Sequence, residues 1–338
     1  MKLETNIMVP LINMNFYNVS LDLVFISTPN IDGFDDLLQN NLYDNDLIKT
    51  MDSAMQGALN GYRNNEMILR SVELKTNTDT ENLKRIEVFR LTLRCIKHWS
   101  KKHGLNSNKI GYLGGIGWAI LVAKICQMFP KLPPARLLEK FFYVYGYEWE
   151  WDKWIVRIEG LETEALEKQE LEKLEKTQIK FNVITPAYPQ SCATHNTSQV
   201  TKDVILSCMR DGHEIVKGIL DGNDEGSEDE YFYITQENEQ NYKNKWNVLF
   251  KEFTFFEKYN HFIEVNVLGE NDNDFNQWKG FIEAKIRHTA KYFEDLSKMY
   301  KLKVQYWPHF YESVASIKGG WRNAATMYIG KFFFLKRG

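Results

Sequence analysis

Between residues 19 and 25, Val19, Leu21, Leu23 and Phe25 alternate with Ser20, Asp22 and Val24. Period two is the signature of a strand, so Val9–Ser27 reads as two strands around a turn at Tyr17–Asn18, with Asp22 on the face opposite the apolar row. Residues 34–70 have a helical but irregular pattern, and Asn60–Gly61 marks a turn or helix end within it. From Asn82 to His103, Ile86, Phe89, Leu93 and Ile96 fall at helical spacing, and Gly104 is placed to stop the helix. Arg90, Arg94, Lys97 and Lys101 share another face of that helix. Gly117–Met128 is apolar nearly all round, which predicts a buried helix, and Gly114–Gly115 precedes it directly.

Further along, Leu161–Lys176 is rich in Glu and Lys and predicts a solvated spacer helix. Asp221–Glu230 holds six carboxylates together with Gly222, Gly226 and Ser227, the composition of a linker, so a domain boundary is expected just after it. Beyond it, Ile263, Val265 and Val267 alternate with Glu264 and Asn266 in a strand. Trp278, Phe281, Ile282, Ile286, Phe293 and Leu296 mark one long amphipathic helix. Leu302, Val304 and Tyr306 predict another strand and Thr326–Leu335 a last one, together a small α/β sandwich with one helical face.

Composition sharpens this picture. At 338 residues, 43% hydrophobic and 14% aromatic, the chain has the material for two or three folded domains and is not a disordered polymer. Met1–Ile7 carries no apolar signal-peptide stretch, and the longest apolar run, Ile116–Phe129, is broken by Lys124 and Gln127 and too short for a bilayer. The expectation is a chain that neither spans a membrane nor is exported. Cys95, Cys126, Cys192 and Cys208 lack the paired spacing of zinc sites, and His98, His103 and His195 lack metal-ligand spacing. Net charge is −3, yet residues 243–338 hold 16 Lys and Arg against 10 Asp and Glu. A basic end of this kind suits a phosphate backbone. The aromatic residues of Tyr143–Trp154 could stack on bases, but their helical spacing favours a place in the core.

Several stretches, in order along the chain, resemble the eukaryotic nuclear poly(A) polymerases. They are Ser20-Leu21-Asp22-Leu23, Ala58-Leu59-Asn60-Gly61, the block from Phe89 to Lys97, Gly111-Tyr112-Leu113-Gly114-Gly115-Ile116-Gly117, and Ile184-Thr185-Pro186-Ala187-Tyr188-Pro189-Gln190. Cys192–Asn196 and Met327–Gly330 fit the same family. The resemblance implies an α+β multidomain fold: the remnant of a nucleotidyltransferase palm over residues 1–70, a helical middle domain over 71–240, and an RRM-like α/β sandwich over 241–338, expected to be truncated at its end.

The implied reaction is template-independent transfer of AMP from ATP to an RNA 3′ end, with two Mg²⁺ or Mn²⁺ ions held by three carboxylates. Asp22 matches the third of these. The other two belong to an Asp-x-Asp pair that would precede it, and none of the 21 residues before Asp22 is Asp. The resemblance therefore leads to the expectation that the chain is N-terminally incomplete and inactive on its own. It further implies that Lys97 meets the ATP phosphates, that Gly114, Gly115 and Ile116 face the nucleotide, and that Asn60 and Asn108 lie near its sugar and phosphates. Three positions depart from the family pattern: Asn106 replaces a tyrosine, Asn13 a lysine, and Met8 an aromatic that packs on adenine. A monomer in the nucleus, working with cleavage and polyadenylation factors, is the expectation that follows. A catalytically inactive RNA-binding or scaffold protein of the same family is the alternative, and a uridylyl- or CCA-adding transferase fits the RRM-like end less well.

Overall fold

The computed structural model describes residues 2–4, 9, 11–17, 19–25, 44–73, 78–158, 181–221, 236–300, 302–317 and 320–333. Met8, the Leu161–Lys176 segment and the linker residues 222–230 lie outside the described residues. The chain begins with a three-stranded antiparallel sheet, β1 (Lys2–Glu4), β2 (Leu11–Phe16) and β3 (Val19–Val24), in sequence order. Tyr17 turns the β2–β3 hairpin in the left-handed region at φ 46°. Cross-strand register sets Met14 against Leu21, Ile12 against Leu23 and Asn13 against Asp22, so apolar and polar pairs occupy opposite faces.

Helices follow: α1 (Asn45–Lys49), α2 (Ser53–Ser71), α3 (Asp79–Lys102), α4 (Gly115–Met128), α5 (Pro134–Tyr143) and α6 (Gln199–Asp221). Asp44 and Asp52 cap α1 and α2 through backbone N–H groups, and Thr78 with Glu81 forms a reciprocal capping box on α3. Contrary to the turn expected at Asn60–Gly61, α2 runs through both residues. Gly61 faces open space, and the Asn64 amide donates to the Asn60 carbonyl at 2.7 Å, so the local turn preference yields to helix propagation anchored by the tertiary contacts of Arg63 and Asn64. Gly104 ends α3 with φ +67°, and a Cβ there would stand 2.7 Å from the Trp307 ring, so both backbone and space call for glycine.

The helices enclose Trp99, Trp118, Phe141 and Phe142, all 1% exposed or less. Trp99 meets the Phe142 ring edge-on at 4.8 Å and Trp118 at 6.1 Å. Arg85 staples two helix ends from the side: its guanidinium donates to the carbonyls of Val72 at the end of α2 and of Cys126 and Pro130 at the end of α4. After α5 the chain passes through a π-helical turn, Val144–Glu148, which buries Tyr145 and leads to Trp151 stacked on Phe181 at 3.8 Å. The aromatic run is thus mainly core, with Tyr147 and Trp154 at the surface.

The last part contains α7 (Gln236–Asn247), the single turn α8 (Phe255–Lys258), β4 (His261–Leu268), α9 (Asp272–Lys285), α10 (Ala290–Tyr300), β5 (Leu302–Ile317) and β6 (Gly320–Phe333). Its sheet is antiparallel in the order β4–β6–β5, with a bulge between Tyr306 and Phe310. The single long helix expected from Trp278 to Leu296 is two helices, broken by a 3₁₀ turn at Ile286–Thr289. Ile286 is buried at the break, α9 lies on β4 and β6, and α10 reaches β5 and α6; a straight helix would not follow both surfaces. Trp278, Phe281 and Leu296, assigned by spacing to the apolar stripe, are exposed. Ile263, Val265, Met327 and Ile329 continue the core of the middle helices into this sheet. The Tyr112 hydroxyl donates to the Tyr306 carbonyl at 2.9 Å, and Phe253 N–H donates to the Lys102 carbonyl at 3.1 Å, tying the two bodies into an α+β multidomain whole.

Candidate functional site

A helix N-terminus leaves backbone N–H groups without intrahelical partners and carries a partial positive charge. At the start of α4 the capping position is Gly114, which has no side chain to satisfy them. Lys97 reaches this point from α3: a Cβ built on Gly115 would lie 3.4 Å from the Lys97 Nζ. The ammonium and the helix end therefore converge from two elements. A surface cavity of about 380 Å³ opens here, lined by Lys97, His98, Lys101, Asn106, Gly115 and Trp118.

The sequence motif between the two helices shapes the other wall. Asn108 begins a 3₁₀ turn, and its side-chain Oδ1 is buried with no hydrogen-bond partner among the described residues. Gly111 turns with φ +95° where a Cβ would meet the Asn196 carbonyl at 2.9 Å, while the Asn196 amide donates to the Asn108 carbonyl at 3.2 Å. The Cys192–Asn196 block thus holds the Asn108–Gly111 turn in place. Arg90 pairs with Glu87 at 2.9 Å, so the basic stripe of α3 divides into an ion-paired end and a cavity-facing end.

Other predicted residues fall elsewhere. Asn60 is built into a joint: its Nδ2 donates to the Pro189 carbonyl at 3.4 Å, and its Oδ1 accepts from Arg63 at 3.1 Å. Arg63 is fully buried and also donates to the Tyr188 carbonyl and to Asn45, while Asn64 accepts from Ala187 N–H at 2.9 Å. The Ile184–Gln190 block is therefore clamped to α2 by a guanidinium that sequence reading missed, because α2 lacked the periodicity that would have flagged an inward Arg. Ile116 is half-buried against the core beside Gly115. Asp22 is exposed on β3, where its Oδ1 accepts from Asn13 Nδ2 at 2.8 Å. No group of three or more His, Cys, Asp or Glu residues comes together among the described residues. Asp22 with a neighbouring amide does not amount to a divalent-ion site, since such ions are held by several oxygen ligands.

The histidines have structural partners. His103 Nδ1 lies 2.9 Å from the Trp99 carbonyl and its pKa is lowered, chiefly by burial; His195 Nδ1 lies 3.1 Å from the Cys192 carbonyl. A larger cavity of about 480 Å³ sits at the junction of α6, α10 and β5, lined by Val200, Val204, Cys208, Tyr259, Leu302 and Val304 among others. Burial pushes the Cys208 thiol up to about 12, so it is unreactive as a thiolate. Among the described residues no helix is long and apolar enough to cross a membrane.

With this geometry in hand, three family models match in chain order. The "Poly(A) polymerase nucleotidyltransferase domain" matches residues 1–72, the "Poly(A) polymerase central domain" residues 88–229, and the "Poly(A) polymerase predicted RNA binding domain" residues 254–318. Nuclear poly(A) polymerase 1 of Arabidopsis thaliana is 30% identical over 294 residues, covering 86% of this chain and 36% of that protein. The poly(A) polymerase of Dictyostelium discoideum is 31% identical over 299 residues, covering 88% of this chain and 32% of that protein. The chain spans about a third of the length of these relatives. A solved structure titled "Structural Basis for the Activity of a Cytoplasmic RNA Terminal U-transferase" aligns with TM-score 0.38 and 13% identity over 74% of this chain and 72% of that one.

Proposed function

We propose that this chain, which belongs to the poly(A) polymerase family, carries the nucleotide-triphosphate and RNA-facing parts of a template-independent adenylyltransferase. The observation that carries this reading is the approach of the Lys97 ammonium to Gly115 at the uncapped N-terminus of α4. A polyphosphate is the ligand that such a pair suits: the compact ammonium supplies full charge, and the helix N–H groups supply directed donors. Asn108 Oδ1 is proposed to accept from a sugar hydroxyl, and Ile116, next to Gly115 and packed against the core, to approach the nucleotide. The replacement Asn106, in the cavity wall, offers an amide in place of a longer phenol and weakens hold on the triphosphate.

Two divalent ions, when bound, would neutralise charge on the phosphates and activate the attacking hydroxyl. Asp22 is proposed as one carboxylate of that centre. Among the described residues no group of three or more His, Cys, Asp or Glu side chains gathers that could hold the ions. The domain division at about residues 70 and 240, the nuclear location and contacts with cleavage and polyadenylation factors are proposals from the same membership, supported for location by relatives named nuclear.

Binding of a fluorescent ATP analogue to the 338-residue chain tests the site. Lys97→Ala should weaken it about tenfold or more, the loss of one strong charge-assisted contact, whereas Arg90→Ala should change it less than about twofold. Equal effects of the two substitutions would refute the assignment. The alternative is an inactive RNA-binding or scaffold member of the same family. Primer extension with ATP and Mg²⁺ or Mn²⁺ separates the two: the chain alone is expected not to extend an RNA primer, and robust tailing would overturn that expectation.

A further inference from the structure

In the sheet order β4–β6–β5, strand β5 is bonded to another strand on one side only. An antiparallel strand directs the N–H and C=O of successive residues alternately to either side, and two hydrogen bonds fix which side is which here. The Leu302 carbonyl accepts from Ser297 Oγ at 2.7 Å and the Tyr306 carbonyl from the Tyr112 hydroxyl at 2.9 Å, both away from β6. Val304 lies midway between them, so its N–H and C=O point the same way. Among the described residues no backbone–backbone hydrogen bond joins β5 to an element on that side. One main-chain donor and one acceptor are thus left open between two closed positions, and an open strand edge is a template for another strand.

The cavity of about 480 Å³ lies along this open side. Leu302, Lys303, Val304 and Gln305 all line it, and consecutive residues, which alternate between the two faces of a strand, meet one cavity at the strand's edge. Opposite stands α6, whose Val200, Val204 and Cys208 form an apolar row at intervals of four, about 12 Å long at about 1.5 Å per residue. That length suits three to four residues of extended chain at about 3.3 Å each. Tyr259 closes one end, its hydroxyl donated to Gln305 Oε1 at 2.7 Å. Charge is arranged around this floor. Glu294 and Asp203 are engaged at the start of α6, accepting from Gln199 N–H at 2.8 Å and Gln199 Nε2 at 2.7 Å, where the helix end is itself positive. The lysines stand at both ends: Lys303 beside Leu302 and Lys298 beside Ser297, with Lys258 beside Tyr259. Lys258 meets Asp211 at 3.7 Å and Lys298 meets Asp295 at 3.2 Å, solvent-exposed pairs that hold weakly and can yield to a ligand's carboxylate.

We propose that this cavity binds a short extended peptide segment of a partner protein, added to the edge of β5 at Val304, with aliphatic side chains against the α6 row and acidic residues on either side meeting the lysines. Pairing with the Val304 N–H and C=O selects a peptide backbone over other apolar ligands, Val200, Val204 and Cys208 select small aliphatic side chains, and the lysines select the charge. The residues lining the cavity beside Lys97 take no part, so this inference stands apart from the function proposed above.

Fluorescence anisotropy of the full chain with a labelled, end-blocked peptide Glu-Val-Val-Val-Glu decides it. Methylating the valine nitrogens, which removes the strand's donors, and replacing both Glu by Lys should each weaken binding about tenfold or more. Val204→Trp fills the cavity and should abolish binding. Lys258→Glu with Lys303→Glu alters only the exposed rim and should reverse the preference toward the Lys-flanked peptide. Circular dichroism and melting verify folding, and if Val204→Trp does not fold, the rim variant and the methylated peptide still decide. No binding of the Glu-flanked peptide, equal binding of the Lys-flanked one, or undiminished binding to folded Val204→Trp overturns the proposal. Undiminished binding of the methylated peptide, or its displacement by dodecanoate at matching concentration, would give the cavity to an amphiphile without a peptide backbone and overturns it as well.

Discussion

Among the described residues stand two three-stranded antiparallel sheets whose sequences announce themselves in the same way and whose surroundings differ. In β3 the row Val19, Leu21 and Leu23 is 56%, 36% and 49% exposed. In the β4–β6–β5 sheet the equivalent inward row, Val267, Met327 and Ile329, is 3% exposed or less, because α9 and α10 lie over it. Alternation states which side chains share a face, and it says nothing about what covers that face. Burial, and with it most of the stabilisation, comes from the elements that pack on top.

The comparison can be broken most sharply by truncating one residue in each sheet. Ile329→Ala should cost about 2–5 kcal/mol in urea unfolding, the range for deleting a buried aliphatic side chain, whereas Leu23→Ala should cost less than about 1 kcal/mol. Similar losses would mean that the first sheet is covered in solution. A smaller effect is expected from glycines: Gly330→Ala puts a Cβ 2.6 Å from Tyr259 and should cost about 1–3 kcal/mol by overpacking. Gly61→Ala, on α2 with open space around it, should raise stability by about 0.4–1 kcal/mol through the less flexible unfolded chain.

The joint between the helical body and the second sheet offers a pH test. His103, whose ring lies 6.0 Å from Phe253, has its pKa lowered below 6.5 chiefly by burial. The folded state therefore prefers neutral imidazole, so its contribution is present above pH 6.5 and is lost as pH falls below that value toward the depressed folded pKa. His103→Gln should flatten the acid side of the stability profile relative to the unmodified chain, as followed by melting temperature between about pH 5 and 8. The smallest expected effect is at the hairpin: Asn13→Ala removes an exposed hydrogen bond to Asp22 and should cost about 0.5 kcal/mol, within the range for a solvated bond.

Much of the fold was legible in the chain. The β2–β3 hairpin, the α3 helix with its glycine stop, the buried α4 and the strands of the second sheet all follow from local periodicity and capping chemistry. The turn expected at Asn60–Gly61 and the single helix expected over Trp278–Leu296 were not what formed. In both places a tertiary partner, the Tyr188–Pro189 loop clamped by Arg63 or the two surfaces spanned by α9 and α10, outweighed a local preference of about 1 kcal/mol. For the site, Lys97, Gly114 and Gly115 were marked by sequence and are brought to one point, with Asn108 alongside. Asn60 was marked and belongs to the Arg63 joint.

The amino-acid sequence by itself determined the family, the order of its parts and the local elements that carry Lys97, Gly114 and Gly115, because those depend on residue type and short-range spacing. Tertiary structure alone decided that the end of Lys97 reaches the start of another helix and that Arg63 is buried. Each of those requires segments far apart in the chain to meet, and no pattern confined to one segment specifies the meeting.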